Sequence, residues 1–437
     1  MLTIIVLIIV VLLIVVGSTK FNLHPFLGLL GAAIVMGFFS GLDEAVIITK
    51  MTEGFGSTLK SIGIIIAFGT IIGIFLEKSG AAKTMAATVL KIVGEKNSAL
   101  AMNITGYIVS IPVFCDSGFV ILSTLNKALS KKTGISMTVF AVALSTGLYA
   151  THVFVPPTPG PLAAAAAIGA NIGIVLLLGL IVAIPTSLAG FFWAKFYAKR
   201  INIIPDDNIT DKEGVLPGKV QSFAPIIIPI ILIALNSVAV YPTAPFGTGV
   251  VKSLIGFVGD PVVALLIGVI LSFTIKVKKK ESQMNLVSEG LKQAGVIILI
   301  TGAGGAFGNV LRATDISTTF GSFAQTWHIG LLLPFIIAAL LKSAQGSSTV
   351  SIITTAALTA PLLASMNLDS EMAKALVVLA IGAGAMTVSH VNDSYFWVVS
   401  QFSGMDTKTA LKTHTTATLF QGLVGIAVIL ILSLVLA

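Results

Sequence analysis

The segment AKALVVLAIGAGAMTVSHVNDSYFWVVSQFSG, residues 373–404, contains the pattern that decides the fold. A long apolar run ends near Ser389 and His390, and Asn392 and Asp393 follow before a group of aromatic residues. A carboxylate is unexpected here, because only 10% of the chain is charged, whereas soluble domains have about a quarter. The segment predicts a membrane helix that polar residues interrupt.

Composition and hydropathy indicate that the whole chain is a membrane protein. Of its 437 residues 56% are hydrophobic, and the mean hydropathy is +1.03. Apolar stretches of about 17 to 25 residues, the length that crosses a bilayer as helix, recur at 2–16, 21–39, 222–240, 254–275 and 415–437. We predict an all-α polytopic membrane protein with about 10 to 12 transmembrane helices plus re-entrant hairpins or broken helices. The stretch 2–16 has no basic residue before it and no cleavage site after it, so we interpret it as the first span.

Basic residues cluster in loops beside the predicted spans. The segments AKFYAKR, 194–200, and KVKKKES, 276–282, are separated by two spans and so lie on one side, which the positive-inside rule assigns to the cytoplasm. This distribution accounts for the net charge of +8 and does not favour a nucleic-acid partner. We interpret the polar segment 201–220 as a linker between an N-terminal half, 1–200, and a C-terminal half, 221–437.

The two halves resemble each other. Three segments of the first half, at 69–86, 110–125 and 151–167, are followed in the same order by three of the second half, at 302–320, 342–357 and 389–404. The offset is about 230 to 240 residues each time, which predicts an internal repeat of the kind found in secondary transporters. Chance similarity among helices rich in small residues is the alternative.

Each half contains two breaks in its apolar sequence, a predicted hairpin near 110–125 or 342–357 and a broken segment near 151–167 or 389–404. Proline removes a backbone donor and glycine loosens a helix, so the backbone there should not be helical. Such backbone is tolerated at membrane depth only where it is buried in protein or lines a cavity. Helix N-termini at the breaks suit a carboxylate, and the hydroxyl and amide groups of AQGSSTVS, 344–351, suit a polyol.

Two acidic residues lie in these breaks, Asp116 and Asp393. An ionised Asp at the centre of a membrane helix costs about 2.5–3.5 kcal/mol, so each carboxylate should be either paired or functional. Pairing with Lys342 is one interpretation. The other is that a carboxylate carries a proton, since burial disfavours its charged form. His152 and His390 occupy matching places in the repeats and are further proton-coupling candidates, although a histidine at a break is also a common hydrogen-bonding spacer.

The segments VPPTPGPLAAAAAIGANIG, KSAQGSSTVSIITTA and SHVNDSYFWVVSQFSG resemble the signature segments of the gluconate permease family, and the resemblance extends over nearly the whole chain. It implies proton-coupled symport of gluconate or a related small hydroxy acid, a fold of two inverted repeats, elevator-type alternating access, a homodimer and a bacterial inner-membrane location. With the breaks it indicates a substrate site formed by Asp116, Ser117, Gly118, Pro157, Thr158, Pro159, Gly160, Gln345, Gly346, Ser347, Ser348, Thr349, His390, Asn392, Asp393 and Ser394.

The chain departs from the family pattern at three places in or beside this site. Thr158 stands where the family usually has His, Cys115 where it usually has an aromatic residue, and Tyr395 where Gly is expected. The substrate therefore stays open among gluconate, D-glycerate, a ketodeoxy sugar acid, 3-hydroxybutyrate and D-serine.

A cation/proton antiporter would use the same broken helices and acids and is the main alternative. An enzyme is not indicated, since no nucleophile with its base and no metal-binding triad is present at fixed spacing. The single cysteine excludes a thiolate cluster, so we predict neither a cofactor nor a metal site. The expected partners are the small carboxylate substrate, the proton and the lipid bilayer.

Overall fold

The computed structural model describes residues 2–21, 23–205, 216–239, 249–275, 282–314 and 330–436. All regular structure in these ranges is helical. Before position 206 the helices are α1 (Leu2–Lys20), α2 (Pro25–Phe39), α3 (Glu44–Ser79), α4 (Ala81–Val93), α5 (Ser98–Val109), α6 (Cys115–Thr133), α7 (Met137–Phe154), α8 (Pro159–Ile168) and α9 (Ile172–Phe196). After it they are α10 (Lys219–Ala239), α11 (Val250–Val258), α12 (Pro261–Ser272), α13 (Gln283–Arg312), α14 (Leu332–Gln345), α15 (Ser348–Thr359), α16 (Glu371–Met386), α17 (Ser394–Phe402), α18 (Thr407–Ala410) and α19 (Thr416–Leu436).

The all-helical membrane fold with broken helices is confirmed. Among the described residues six helical segments are long and apolar enough to cross a membrane, or seven if the bent pair α11–α12 counts as one span. Several other apolar segments form short helices of 10–17 residues, among them α2, α14 and the segment that begins with α15. These short apolar helices fit the broken helices and re-entrant hairpins that the sequence predicts beside its full-length spans.

The predicted continuous span 254–275 is wrong. The chain bends by 61° between α11 and α12 at Gly259 and Asp260. Asp260 caps α12, since its Oδ1 accepts a hydrogen bond from the Val262 N–H at 2.9 Å, and Pro261 occupies the first helical position. A capping Asp followed by Pro is a signal for a helix start, so the sequence did carry the information.

Two helices form the centre of the molecule. Every residue of α7 is buried, and α16 is buried from Ala375 to Met386. A helix that is apolar on all sides belongs inside the protein rather than at the lipid. The two pack against each other, and each leads directly into one of the predicted breaks. Two of the four breaks, at 155–158 and 387–393, therefore follow deeply buried helices.

The long helices α3 and α13 form a second closely packed unit. A Cβ at Gly54 would collide with the backbone oxygen of Gly305, so the two helices approach to backbone contact through small residues. Parts of the predicted polar linker (206–215), the basic segment (276–281) and the repeat segment 302–320 (315–320) lie outside the described residues.

Candidate functional site

The structure places a helix break at each predicted position. One lies between α5 and α6 at 110–114, the second between α7 and α8 at 155–158, the third at Gly346 and Ser347, and the fourth at 387–393. Gly346 has φ +79°, a left-handed conformation that ends α14 and that glycine adopts at little cost. Ser347 begins α15 by accepting the Val350 N–H at 3.3 Å, and Asp393 begins α17 by accepting the Tyr395 N–H at 3.1 Å.

The third and fourth breaks are in direct contact. His390 Nε2 lies 2.9 Å from the Ser343 carbonyl oxygen, and Asn392 Nδ2 donates to the carbonyl oxygens of Ser343 and Ala344 at 2.9 and 3.1 Å. These carbonyl groups belong to the last turn of α14, where no intrahelical partner is available. His390 and Asn392 therefore hold the end of α14 in this conformation.

The first and second breaks meet at a small cavity against α3. Pro112 and Phe114 line it from the first break, and Pro157, Thr158 and Pro159 line it from the second. The Thr158 hydroxyl donates to the Val155 carbonyl oxygen at 2.6 Å, so it closes the turn between α7 and α8.

Contacts between the halves join the two pairs of breaks. Ser394 Oγ lies 3.4 Å from Asp116 Oδ1, and the hydroxyls of Tyr149 and Ser348 are 2.7 Å apart. Gly160 faces the side chain of Ile352 in α15. Ser117 and Gly118 lie in the first turn of α6, Thr349 lies in the first turn of α15, and His152 lies in the last turn of α7. The predicted site residues therefore come from four breaks that surround one region.

Asp393 forms a fully buried ion pair with Lys342. The Lys342 Nζ is 2.5 Å from Asp393 Oδ2, and the side chains are 0% and 5% exposed. Lys342 also donates to the Gly346 carbonyl oxygen at 2.6 Å, and the Ser389 hydroxyl donates to Asp393 Oδ2 at 2.5 Å. Of the two interpretations of this carboxylate, the structure shows the paired one. A buried pair of this kind is weak evidence for stability, because desolvation opposes the attraction.

His414 belongs to the same cluster, although no motif in the sequence marks it as a site residue. Its Nε2 lies 3.2 Å from Ser389 Oγ and its Nδ1 lies 3.2 Å from Ser145 Oγ. The residue is completely buried within a π-helical turn, Leu411–Thr415, between α18 and α19. Such turns occur frequently at functional sites. The predicted span began at residue 415, so His414 lay one residue outside it.

Two predicted residues have buried polar atoms without a partner. Both side-chain atoms of Gln345, Nε2 and Oε1, and Nδ1 of His152 are buried and make no hydrogen bond. Most buried polar atoms in proteins are paired, so such atoms need an explanation. Gln345 is the last residue of α14, beside the Lys342–Asp393 pair and the hydroxyls of Ser347 and Ser348. This is the chemistry expected of a binding site for a small polar molecule.

The fold resembles that of solved transporters. It superposes on the YdaH transporter of Alcanivorax borkumensis with a TM-score of 0.62 over 90% of both chains, at 13% sequence identity. At this level of identity the likeness concerns the fold alone.

Sequence comparison identifies the family. The profile of the GntP family permeases matches residues 1–435. A gluconate permease of Pseudomonas aeruginosa is 32% identical over 96% of this chain and 94% of its own, and a D-serine transporter of Escherichia coli is 32% identical over 95% of both chains. An inner membrane permease of Escherichia coli is 31% identical over 93% of both chains. The resemblance to gluconate permeases is thereby confirmed, and the chain belongs to the GntP family of permeases, as a multi-pass transporter of the bacterial inner membrane rather than an enzyme.

Proposed function

We propose that this permease takes up gluconate or a related small hydroxy acid together with a proton. The observation that carries the proposal is the buried Lys342–Asp393 pair next to the unpartnered amide of Gln345. An ion pair inside a membrane protein is costly to maintain and marks a place where charge is moved or bound. Lys342 offers a cation for an anionic substrate, Asp393 offers a carboxylate for a proton, and the unpaired amide of Gln345 can hydrogen-bond the substrate.

The substrate class follows from the groups around the pair. A carboxylate needs a cation or helix N-termini, and hydroxyl groups need donors and acceptors such as those of Gln345, Ser347, Ser348 and Thr349. The relatives named as a gluconate permease and a D-serine transporter both act on small molecules that carry a carboxylate and a hydroxyl. We expect a ligand of this type, with gluconate as the first choice and D-serine or 3-hydroxybutyrate as alternatives.

We also propose an elevator-type movement and a homodimer. Since the four breaks contact one another across the halves, they are suited to move as one body that contains α7, α16 and the short helices α8, α15 and α17. The closely packed α3–α13 unit is suited to act as the stationary scaffold. The division into inverted repeats, 1–200 and 221–437, belongs to the same proposal.

Proteoliposomes provide the test. With purified protein, an inward proton gradient and external gluconate, the vesicles should concentrate gluconate above the external level, and a protonophore should abolish this accumulation. Accumulation that survives the protonophore but requires sodium would contradict proton coupling. Sodium-driven pH change without any added organic acid would instead favour a cation/proton antiporter.

A thermal-shift screen identifies the substrate in parallel. A ligand that binds only the folded protein raises its melting temperature by mass action. Gluconate, D-glycerate, 3-hydroxybutyrate and D-serine should be compared at equal concentration, and the best stabiliser should also be the best-transported compound.

A further inference from the structure

Lys342 differs from every other lysine and arginine whose surroundings the structure describes, because it alone is fully buried. Asp393 is the only Asp or Glu in the same ranges that is as deeply buried. Their pair lies at the end of α14, where Lys342 also contacts the Gly346 carbonyl oxygen. The cation therefore points into the third break, towards the polar groups proposed to hold the substrate.

The surroundings of Asp393 contain one cation and one other carboxylate. The titratable groups around it are Lys342 of α14, Cys115 and Asp116 of α6, Tyr149 and His152 of α7, His390 of the same break, Tyr395 of α17 and His414 of the π-helical turn. Asp116 is half-buried and bonded to Ser394 rather than to the lysine. Lys342 is thus the only fully buried lysine or arginine among the described residues, and it is the cation paired with Asp393.

We propose that the substrate carboxylate and Asp393 bind Lys342 in turn, and that protonation of Asp393 is what exchanges one for the other. This inference rests on the proposed function and names the residues that bind the anion and the proton. In the state described here Asp393 is the partner. In the loaded state the carboxylate of the hydroxy acid takes its place.

The step balances in atoms and charge. A proton from the open side bonds to a carboxylate oxygen of Asp393, and the bond from the Lys342 ammonium to that oxygen breaks. The ammonium then donates to an oxygen of the substrate carboxylate, while its own protons stay in place. Ser389 can accept as well as donate, so it keeps a hydrogen bond to neutral Asp393. Release of the substrate and the proton restores the original pair.

The exchange explains why transport of the substrate should be coupled to transport of a proton. The charges of the exchanging groups sum to zero in both states, because the empty site has the neutral Lys342–Asp393 pair and the loaded site has one ammonium, one neutral acid and one substrate anion. A site with only the proton or only the substrate would carry one unbalanced charge away from water, which costs several kcal/mol or shifts protonation instead. The protein therefore changes conformation when its site is empty or holds both the substrate and the proton. With only one of the two bound it does not.

Infrared difference spectroscopy on the purified protein gives a direct readout of the proton. Adding D-gluconate to the wild type should create the carbonyl band of one protonated carboxyl group. The band should be absent in Asp393→Asn and retained in Glu371→Gln, because Glu371 is a surface carboxylate outside the site. Gluconate labelled with ¹³C at C1 separates the ligand carboxylate from the protein bands. A band that persists in Asp393→Asn, or no band when gluconate is bound, would overturn the exchange.

Binding measurements test the role of the cation. Lys342→Met alone leaves the Asp393 carboxylate buried and unpaired, whereas Asp393→Asn keeps the shape of neutral Asp393 but leaves Lys342 unpaired. The informative comparison is therefore Lys342→Met/Asp393→Asn with Asp393→Asn, after the melting temperature has shown that both variants are folded. The double variant should fold, as judged by its melting temperature, but bind D-gluconate at least about tenfold more weakly, the loss expected for a charge-assisted hydrogen bond. Equal affinity of the two would show that Lys342 does not bind the carboxylate. Lys374→Met is the matched control, since Lys374 pairs with Glu371 at 3.3 Å at the surface and should not matter.

Different results would contradict the proposed function and the exchange at Lys342. If the wild type binds neither D-gluconate nor D-serine as the second probe, the proposed function fails and the exchange with it. If it binds and transports with a proton, but the carboxyl band does not depend on Asp393, only the exchange is overturned.

Discussion

Gly346 and Asn392 are in backbone contact, and this contact joins the third and fourth helix breaks. A Cβ built at position 346 would collide with the carbonyl oxygen of Asn392, and the Asn392 side chain caps the end of α14 from the same direction. Two requirements therefore meet at Gly346, a left-handed backbone and the absence of a side chain. The Lys342–Asp393 pair spans the same junction.

Gly346→Ala should destabilise the protein and impair transport. The left-handed backbone alone costs an alanine about 1–2 kcal/mol, and the collision with Asn392 adds to this by separating the breaks. The melting temperature in detergent and the uptake of gluconate should both fall. Gly404→Ala is the matched control, since Gly404 has φ +67° with open space around it and should show the backbone cost only. Equal effects of the two substitutions would mean that the contact at Gly346 is unimportant.

Gln345→Leu should separate stability from function. The amide is buried without a partner, so its replacement should keep or raise the stability of the ligand-free protein, by about 1 kcal/mol, and should weaken gluconate binding about tenfold. Gln421→Leu is the contrast, because Gln421 donates to the carbonyl oxygens of Thr146 and Thr186 and its loss should destabilise the protein. Thermal unfolding with and without gluconate measures both effects. A Gln345→Leu protein that is less stable and still binds normally would exclude this residue from the site.

The two acids should have different roles in transport. Asp393→Asn keeps the size of the side chain but removes titration, so it should exchange gluconate across the membrane without concentrating it. Asp116→Asn should still concentrate gluconate, because Asp116 is outside the ion pair. Counterflow and gradient-driven uptake distinguish these activities. The reverse pattern would make Asp116 the coupling acid, and normal uphill transport in both variants would transfer that role to His152 or His390.

The single cysteine reports on movement of the first break. Cys115 is 2% exposed and begins α6 beside Asp116, so it should react with a maleimide only when the site opens. Labelling by a small permeant maleimide should be slow in the ligand-free protein and slower with gluconate bound. If no reagent labels it under any condition, segment 110–125 belongs to a permanently packed region and not to the mobile part.

The breaks could be predicted from sequence because their causes are local. Proline, glycine and capping residues such as Asp393 determine where a helix ends, whatever the rest of the fold does. The same rule also locates the bend at Gly259 and Asp260. The prediction of a continuous span over 254–275 relied on its apolar character instead.

The partners of the site residues could not be derived in this way. Lys342 and Asp393 are 51 positions apart, and their pairing was one of two interpretations until the packing of α14 against α16 was known. His390 and Asn392 fit a ligand by residue type, yet their side chains contact the carbonyl groups at the end of α14. The role of His414 depends on contacts with Ser145 and Ser389 from two distant segments. Side-chain pairing of this kind is a property of tertiary packing.

The ratio of protons to substrate in proteoliposomes tests the central claim most directly. Gluconate entry and proton entry should be recorded in the same vesicles, with labelled gluconate and a trapped pH-sensitive dye, at several imposed membrane potentials. We predict one proton for each gluconate, an unchanged ratio at every potential, and no proton flux when gluconate is absent. Gluconate accumulation without proton entry, or with a ratio that varies with the potential, would contradict coupling by a neutral exchange at Lys342 and Asp393.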